Sequence, residues 1–250
     1  MEEMRVPIVR RELPTQYAPL IISIGAPIRL YDAAGAGFTD VGSFITGAYD
    51  RAQLVGSAGL SGGVQVNLTL LAIRRLVGRP LADLANGAAH LGDVLGPVAA
   101  ECEERIAAAS SWSERFALMD GLLADRFGRP FTLAPEVHDA WRQIAGSKGR
   151  LPIGDVARHV GWSRKHLIDR FRDEFGLPPK TMARVLRFGE VVNGIKAQRA
   201  TSLADLALQC GYYDQSHLTR DAREFAGTTP GALAASLLPD GGGFLADTAR

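Results

Sequence analysis

The sequence has 250 residues and a formal net charge of +1, and 46% of its residues are hydrophobic against 22% that are charged. This composition is typical of a globular protein and excludes a disordered or fibrous chain. No apolar run approaches the roughly 20 residues that a membrane-spanning helix needs. The first residues also lack the basic start and apolar core of a secretory signal. We therefore expect a cytoplasmic protein with no membrane partner.

The charged side chains are distributed unevenly along the chain. Residues 1–147 carry 13 basic and 16 acidic side chains, whereas residues 148–230 carry 14 basic and 9 acidic ones. A basic C-terminal half joined to a mildly acidic N-terminal half indicates a polyanion-binding module attached to a part with another role.

The N-terminal half changes its pattern near residue 70. Residues 18–72 consist of short apolar and β-branched runs separated by glycines, which predicts strands. Between residues 70 and 128 apolar residues recur every three to four positions, which predicts amphipathic helices, one of them over residues 80–96. A connector over 131–135 follows, and the helical pattern then continues to about residue 236. The predicted fold class is α+β, with a mixed β/α part ahead of an all-α part.

A segment of the helical part is repeated. Residues 154–171 read GDVARHVGWSRKHLIDRF, and residues 204–225 read ADLALQCGYYDQSHLTRDAREF. The first helical stretches of the two copies align at an offset of 50 residues, and the second stretches align at an offset of 51. The offset changes within the turn. Both copies therefore have the same pair of helices, and the turn of the second copy is one residue longer.

Each copy has the pattern of a helix-turn-helix unit. A small residue allows the second helix to cross the first closely, a glycine allows the positive φ of a tight turn, and a capping residue begins the second helix. These residues are Ala157, Gly161 and Ser163 in the first copy and Ala207, Gly211 and Asp214 in the second. The pattern predicts two recognition helices, whose N-terminal residues read base edges in DNA.

The spacing of apolar residues divides each recognition helix into a buried and an exposed face. In the first copy Leu167, Phe171 and Phe175 form the buried stripe; in the second copy it is formed by Leu218, Ala222 and Phe225. The residues left outward or at the start of the helix are Arg164, Lys165, Ile168, Asp169 and Arg172 in the first copy and Gln215, Ser216, His217, Arg220 and Arg223 in the second.

A predicted helix of roughly 20 residues, which would span about 30 Å, lies between the two copies. The major groove of B-DNA returns to the same side after about 34 Å. The connector could therefore place the two recognition helices in successive grooves on one face of the duplex.

The region over about residues 136–236 resembles the DNA-binding domain of AraC/XylS transcription regulators. The resemblance is carried by GLPPK (176–180), by GYYDQSHLTR (211–220), by the long connecting helix and by the terminal GTTP (227–230). It implies a sequence-specific transcription regulator without enzyme activity. It also implies three parts: a sensor or dimerisation domain over residues 1–131, a DNA-binding domain over 132–236 and a flexible tail over 237–250.

The resemblance also implies which side chains face DNA. The base-facing positions that it gives are Lys165, Ile168 and Asp169 in the first unit and Gln215, Ser216, His217 and Arg220 in the second. Arg164 is added because it is basic and outward. The implied partner is double-stranded DNA. A small-molecule effector and a homodimer remain open as further partners, as does RNA polymerase if the protein is an activator.

Two residues depart from the family pattern. Asp169 is an acid where the family often has a basic or amide side chain, so it either accepts from a cytosine amine or repels phosphate. Ala222 stands where the family usually has a bulky aromatic residue. We expect Phe225 to fill the space that Ala222 leaves.

An alternative for the N-terminal half is an effector-binding or degenerate enzyme domain whose small-molecule chemistry is the main function. The sequence GLSGG (59–63) matches the G-x-S-x-G of a hydrolase nucleophile elbow. The alternating run after it predicts a strand where the elbow needs a helix, so we expect Ser61 to lie in a hairpin loop. No catalytic, metal-binding or cofactor-binding residues are predicted, and Cys102 and Cys210 are expected to be reduced, half-buried thiols.

Overall fold

The computed structural model of the chain describes residues 9–32, 35–57, 59, 61–200, 202–238 and 243–245. The described residues form two antiparallel sheets in the N-terminal half and a helical C-terminal half. The α+β class predicted from the sequence is confirmed.

The strands of the described residues fall into two sheets with the orders β4-β3-β6-β1-β9 and β7-β2-β5-β8. Their bounds are β1 (Arg10–Glu12), β2 (Tyr17–Gly25), β3 (Ile28–Tyr31), β4 (Phe38–Val41), β5 (Phe44–Thr46), β6 (Gln53–Ser57), β7 (Ser61–Thr69), β8 (Ala88–His90) and β9 (Gly243–Leu245).

The longest strand pair lies in the β7-β2-β5-β8 sheet, which packs against a hydrophobic core. Strand β2 pairs with β7 along its whole length, from Tyr17 opposite Thr69 to Gly25 opposite Ser61. Alternate residues of β2 are fully buried: Ala18, Leu20 and Ile22. This period of two is what a strand with one face on a hydrophobic core requires.

The helices follow the strands in chain order, with a short 3₁₀ turn at Ala82–Leu84. Their bounds are α1 (Leu70–Val77), α2 (Leu91–Leu95), α3 (Pro97–Ala108), α4 (Trp112–Gly128), α5 (Pro135–Gly146), α6 (Ile153–His159), α7 (Arg164–Phe175), α8 (Pro179–Lys196), α9 (Leu203–Gln209), α10 (Gln215–Ala226) and α11 (Pro230–Ser236).

The helix predicted over residues 80–96 is replaced by the 3₁₀ turn, strand β8 and the short helix α2. Asn86 has a φ of 55°, and its side-chain oxygen accepts a hydrogen bond from the Asp50 amide at 3.0 Å. Thr46 pairs with Ala88, which adds β8 to the sheet beside β5. The prediction was wrong because pairing of residues 88–90 with the distant strand β5 decides the structure here, although the apolar residues of this segment recur at a helical period.

The buried hydrophobic residues form two cores. The first core joins the β7-β2-β5-β8 sheet and helices α1 to α5 to the first helix-turn-helix unit, including Phe171 and Phe175. The second core joins the second helix-turn-helix unit to one part of α8, and it includes Leu13 and Phe244 from the two ends of the described chain. Packing therefore groups the first unit with the N-terminal half, whereas the predicted division at residues 131/132 follows the local pattern.

Part of the predicted flexible tail is a strand. Residues 243–245 form β9, which pairs with β1 from Arg10 opposite Leu245 to Glu12 opposite Gly243. A Cβ added to Gly243 would lie 2.1 Å from the Arg11 carbonyl oxygen, so the two strands fit closely only with glycine there. The other residues of the predicted tail beyond 238 lie outside the described residues.

Within the described part of the chain, no helix is both long enough and apolar enough to cross a membrane.

Candidate nucleic-acid interface

The first helix-turn-helix unit consists of α6, a short turn and α7. Ala157 in α6 is buried, and its carbonyl accepts from the Trp162 amide at 3.0 Å, which closes the turn. Gly161 has a φ of 72° within this turn, a conformation that favours glycine. The Ser163 hydroxyl then accepts from the His166 amide at 3.2 Å and begins α7. The roles predicted for these residues are confirmed.

The first recognition helix α7 separates its faces as the sequence predicts. Leu167, Phe171 and Phe175 are fully buried. The ring of Trp141 in α5 lies 4.7 Å from the ring of Phe175 and 6.2 Å from that of Phe171. The predicted DNA-contacting residues of this helix are all exposed: Arg164, Lys165, Ile168 and Asp169.

Arg164 differs from the other exposed residues of α7 in its position. A Cβ added to Gly154 would lie 3.7 Å from the Arg164 Nε atom, so this guanidinium group folds back beside the first turn of α6. Its charge therefore lies at the edge of the unit, where a phosphate contact fits better than a base contact.

The second unit consists of α9, a turn and α10, and it repeats the geometry of the first. The Tyr212 amide donates to the Ala207 carbonyl at 2.9 Å, and Gly211 has a φ of 82°. The Asp214 carboxylate accepts from the His217 amide at 2.8 Å. The second recognition helix thus begins at the residue predicted to cap it.

The exposed face of α10 contains all four predicted DNA-contacting residues of this unit: Gln215, Ser216, His217 and Arg220. The His217 Nδ1 atom lies 3.5 Å from the Asp214 carboxylate. This carboxylate also caps the helix, so the imidazole of His217 lies beside the N-terminal end of α10.

Tyr213 also lies on this face, although it is not among the DNA-contacting residues predicted from the sequence. Its side chain is 84% exposed, and its ring centroid lies 6.1 Å from that of His217. An exposed aromatic ring beside the cap of a recognition helix is available for a nucleic acid contact. The sequence contains a signal for this residue: the GYYD turn has two adjacent tyrosines, and only the first, Tyr212, is buried.

The connector α8 holds the second recognition helix through a partly buried ion-pair network of Arg184, Asp221 and Glu224. Arg184 donates to Asp221 at 2.7 Å and to Glu224 at 2.9 Å, and its guanidinium carbon lies 4.9 Å from the centre of the Phe225 ring. The hydrogen bond with Arg184 lowers the pKa of Glu224, and the bond with Glu224 raises the pKa of Arg184. The Tyr212 hydroxyl donates to Asp221 at 3.1 Å, and its burial raises the pKa of Tyr212.

The first recognition helix shares a core with Met182 and Leu186 of α8, and its buried ion pair is formed with the N-terminal half. Arg74 of α1 and Glu174 of α7 form an ion pair of 2.6 Å, and each side chain is only 7% exposed. The Leu81 amide donates to the Glu174 carbonyl at 3.3 Å. These two contacts fix the C-terminal end of α7 against the N-terminal half.

The surroundings of Ser61 differ from those of a hydrolase nucleophile. Ser61 is the first residue of strand β7, not part of a hairpin loop as expected, and no helix follows it directly. The Ser57 hydroxyl donates to the Ser61 oxygen at 3.0 Å. Among the described residues, no group of three or more His, Cys, Asp and Glu side chains could hold a metal ion.

The two cysteines are free and buried, each in a different core. Burial raises the pKa of the Cys102 and Cys210 thiols. Both are therefore disfavoured as thiolate nucleophiles.

Comparison with known proteins connects this geometry to a family. The model of a helix-turn-helix domain family matches residues 156–236. Comparison of the sequence with curated proteins gave no match.

Three solved structures are among those that the comparison found. ToxT from Vibrio cholerae is 12% identical, with 94% of this chain and 95% of that chain covered and a TM-score of 0.50. ToxT from Vibrio cholerae O395 bound to (E)-4-(8-methylnaphthalen-1-yl)but-3-enoic acid is 10% identical, with 94% and 96% covered and a TM-score of 0.51. A transcriptional regulator with an AraC-type DNA-binding domain from Chromobacterium violaceum is 24% identical, with 40% and 90% covered and a TM-score of 0.36.

The C-terminal part of the chain is therefore an AraC-type helix-turn-helix domain, as the sequence predicts. The protein is a DNA-binding transcription regulator.

Proposed function

We propose that the protein is a sequence-specific regulator that reads two successive segments of the major groove. The observation that carries this proposal is the pair of recognition helices α7 and α10. Each begins at a capped N-terminus with its predicted contact residues exposed, and both are fixed to one connector helix. Two recognition helices can bind one duplex in a fixed register only if a rigid connector holds them at a fixed distance.

The length of the connector supports this arrangement. Helix α8 contains 18 residues, and a helix of that length spans about 27 Å. Successive major grooves on one face of B-DNA lie about 34 Å apart. The proposal requires the loops at the two ends of α8 and the widths of the recognition helices to supply the remaining distance.

The exposed side chains divide into two chemical roles. Arg220, Gln215 and Lys165 can donate to base edges in the major groove, since arginine and lysine pair with guanine and glutamine pairs with adenine. Ser216 and His217 can contact bases or phosphates, and Ile168 can pack on a thymine methyl group. Asp169 can accept only from a base amine such as that of cytosine, so it favours one base and disfavours close phosphates.

The N-terminal half is proposed to control the two units. It contacts the first unit through the Arg74–Glu174 ion pair, and its residue Leu13 lies in the core of the second unit. ToxT, whose fold is similar, has been solved with a bound organic acid. We propose that this chain also responds to a small-molecule effector in its N-terminal half. If the protein activates transcription, RNA polymerase is a further partner, and we place the protein in the cytoplasm with its DNA.

A homodimer is proposed through helix α4. Trp112 and Phe116 lie one turn apart on this helix and are 51% and 54% exposed, with ring centroids 6.1 Å apart. A neighbouring pair of large exposed aromatic residues is typical of an interaction surface. Sedimentation of the Phe116→Asp variant, which places a charge on this face, should show a monomer where the unaltered protein shows a dimer.

Selection of binding sites from random duplexes tests the proposed function. The full chain should select a motif with two blocks of preferred bases, whose centres lie about one helical turn apart. The Arg220→Ala variant should lose preference within one block, and Lys165→Ala should lose preference within the other. A single block, or no enrichment over random duplexes, would contradict the proposal.

A further inference from the structure

Arg187 of the connector α8 carries a charge that forms no ion pair with any described residue. Its side chain is partly buried, and its Nε atom is buried without a hydrogen-bond partner. Arg126 has a buried Nε atom of the same kind, but its Nη2 atom donates to the Leu95 carbonyl at 2.7 Å. Withdrawing a charged group from water is costly unless a partner compensates it. The N–H donors of Arg187 are therefore available to an anion outside the chain.

Acidic side chains in this part of the structure are paired with other cations. Arg184, nearly one turn before Arg187 on α8, binds two carboxylates of α10. Glu190, nearly one turn after it, accepts from Lys148 at 2.7 Å. The fold thus uses Arg184 to hold the second recognition helix, whereas Arg187 has no such use among the described residues.

The ring of Tyr212 determines where the Arg187 guanidinium group lies. The guanidinium carbon is 5.4 Å from the centre of this ring. The ring is itself fixed, because Tyr212 is buried and its hydroxyl donates to Asp221 at 3.1 Å. A cation over an aromatic face is stabilised, but this contact leaves the N–H donors of the guanidinium group unpaired.

This position is close to the end of α10 that approaches DNA. Tyr212 lies in the turn directly before α10, so Arg187 is near the helix start at which base contacts are made. On the preceding turn of the connector, Arg184 donates to Glu224 at 2.9 Å. This hydrogen bond and, to a smaller extent, the charge of Arg220 lower the pKa of Glu224. The face of α8 that contains both arginines therefore runs along α10 beside its predicted base-facing arginine.

We propose that Arg187 binds a phosphate of the DNA backbone between the two major-groove segments, an inference that rests on the proposed function. The planar set of N–H donors in a guanidinium group matches the oxygens of a phosphate. The phosphate lies on the side of the second segment that faces the first, because Arg187 belongs to the helix that joins the two units. The contact positions the second unit on the duplex and adds affinity without base preference.

Single methylphosphonate linkages test this proposal, because each removes the charge of one phosphate and leaves the bases unchanged. Duplexes with the motif selected by the full chain carry one such linkage at each position between the two blocks in turn. Arg187→Met removes the charge and keeps an unbranched side chain, whereas Arg187→Lys keeps the charge. Arg105→Met is the matched control, because Arg105 is 61% exposed on α3 and its partner Glu101 is 66% exposed.

Fluorescence anisotropy at several salt concentrations measures the affinities of these full-length proteins. One linkage should weaken binding of the unaltered protein about tenfold, as the loss of one charge-assisted hydrogen bond does. The same linkage should have no further effect on Arg187→Met. The slope of log affinity against log salt should be shallower by about 1 for Arg187→Met and unchanged for Arg187→Lys and Arg105→Met. The base preferences should be the same in all four proteins.

Equal sensitivity of Arg187→Met and the unaltered protein to every linkage would overturn the proposal, and so would an unchanged salt slope of this variant. A lower melting temperature with both readouts unchanged would show that Arg187 only stabilises Tyr212. Arg187→Gln gives the same comparison if Arg187→Met does not fold. Failure of the unaltered chain to select a motif with two blocks would instead contradict the proposed function, and this inference with it.

Discussion

Arg74 and Glu174 form a buried ion pair between a helix that follows the N-terminal sheets and the first recognition helix. The Arg74 Nε and Glu174 Oε2 atoms are 2.6 Å apart. The second recognition helix has a corresponding buried carboxylate, Asp221, but its partner Arg184 comes from the connector. The N-terminal half therefore forms an ion pair with the first recognition helix, whereas the ion pair of the second recognition helix is formed with the connector.

Breaking this ion pair should destabilise the protein strongly. In Glu174→Leu the Arg74 guanidinium stays buried without a charged partner, which typically costs about 3–5 kcal/mol. Its other contacts, the Thr132 carbonyl and the Phe131 ring, are neutral. The double variant Arg74→Met with Glu174→Leu should recover most of the loss, since it leaves no buried charge. Urea denaturation measures both free energies; equal stability of Glu174→Leu and the unaltered protein would show that the pair is not buried in solution.

Arg220 and Arg223 should differ in their effect on DNA binding although both are exposed on α10. Arg220 is close to the N-terminal end of the helix, where base contacts are made, so Arg220→Ala should cost about 1–3 kcal/mol at the preferred site and relax the preference at one position. Arg223→Ala should weaken binding to all duplexes by a similar factor, if at all. Fluorescence anisotropy with the preferred and single-substituted duplexes separates the two outcomes. A uniform loss for Arg220→Ala would make it a phosphate contact.

The Arg184 network should make stability depend on pH. The hydrogen bond with Arg184 lowers the pKa of Glu224 from its ordinary value of 4.5. Glu224 therefore contributes stability above pH 4.5, and this contribution is lost as the pH falls through its lower value in the folded protein. The stability difference between the unaltered protein and Glu224→Gln should shrink below pH 4.5. Glu101→Gln is the control, since the Glu101–Arg105 pair is mostly exposed; a difference for Glu224→Gln that stays constant with pH would be evidence against the network.

Ala222→Phe should destabilise the second unit. Ala222 and Phe225 are both fully buried, and the Phe225 ring packs 5.5 Å from that of Phe188 in the connector. Phe188 and Phe225 are buried in the same core as Ala222, so we expect these two rings to leave no space at residue 222. A further ring should overpack the core and cost about 1–3 kcal/mol. Calorimetry measures the melting temperature; a clear increase with DNA binding retained would reveal an unfilled space.

The two helix-turn-helix units could be predicted from the sequence because local residues determine them. Gly161 and Gly211 specify the turns, Ser163 and Asp214 specify the helix starts, and the apolar period specifies the buried faces. Each of these signals acts within a few residues, so the exposed candidate residues followed from the pattern alone.

The long-range contacts could not be predicted in the same way. The pairing of β9 with β1 joins residues at opposite ends of the chain, and both strands are too short to show a clear alternation. The Arg74–Glu174 pair joins residues 100 positions apart, and nothing in either segment identifies the partner.

The spacing between the two halves of the DNA site tests the central claim most directly. Inserting 5 base pairs between the two selected blocks turns the second block to the opposite face of the duplex, because one turn takes about 10–10.5 base pairs. Since α8 holds both recognition helices at a fixed distance, affinity should fall to that of a duplex with one block scrambled, and insertion of 10 base pairs should not restore it. Binding to the 5-base-pair insertion as tight as to the original site would contradict the account of two reading elements on one rigid connector.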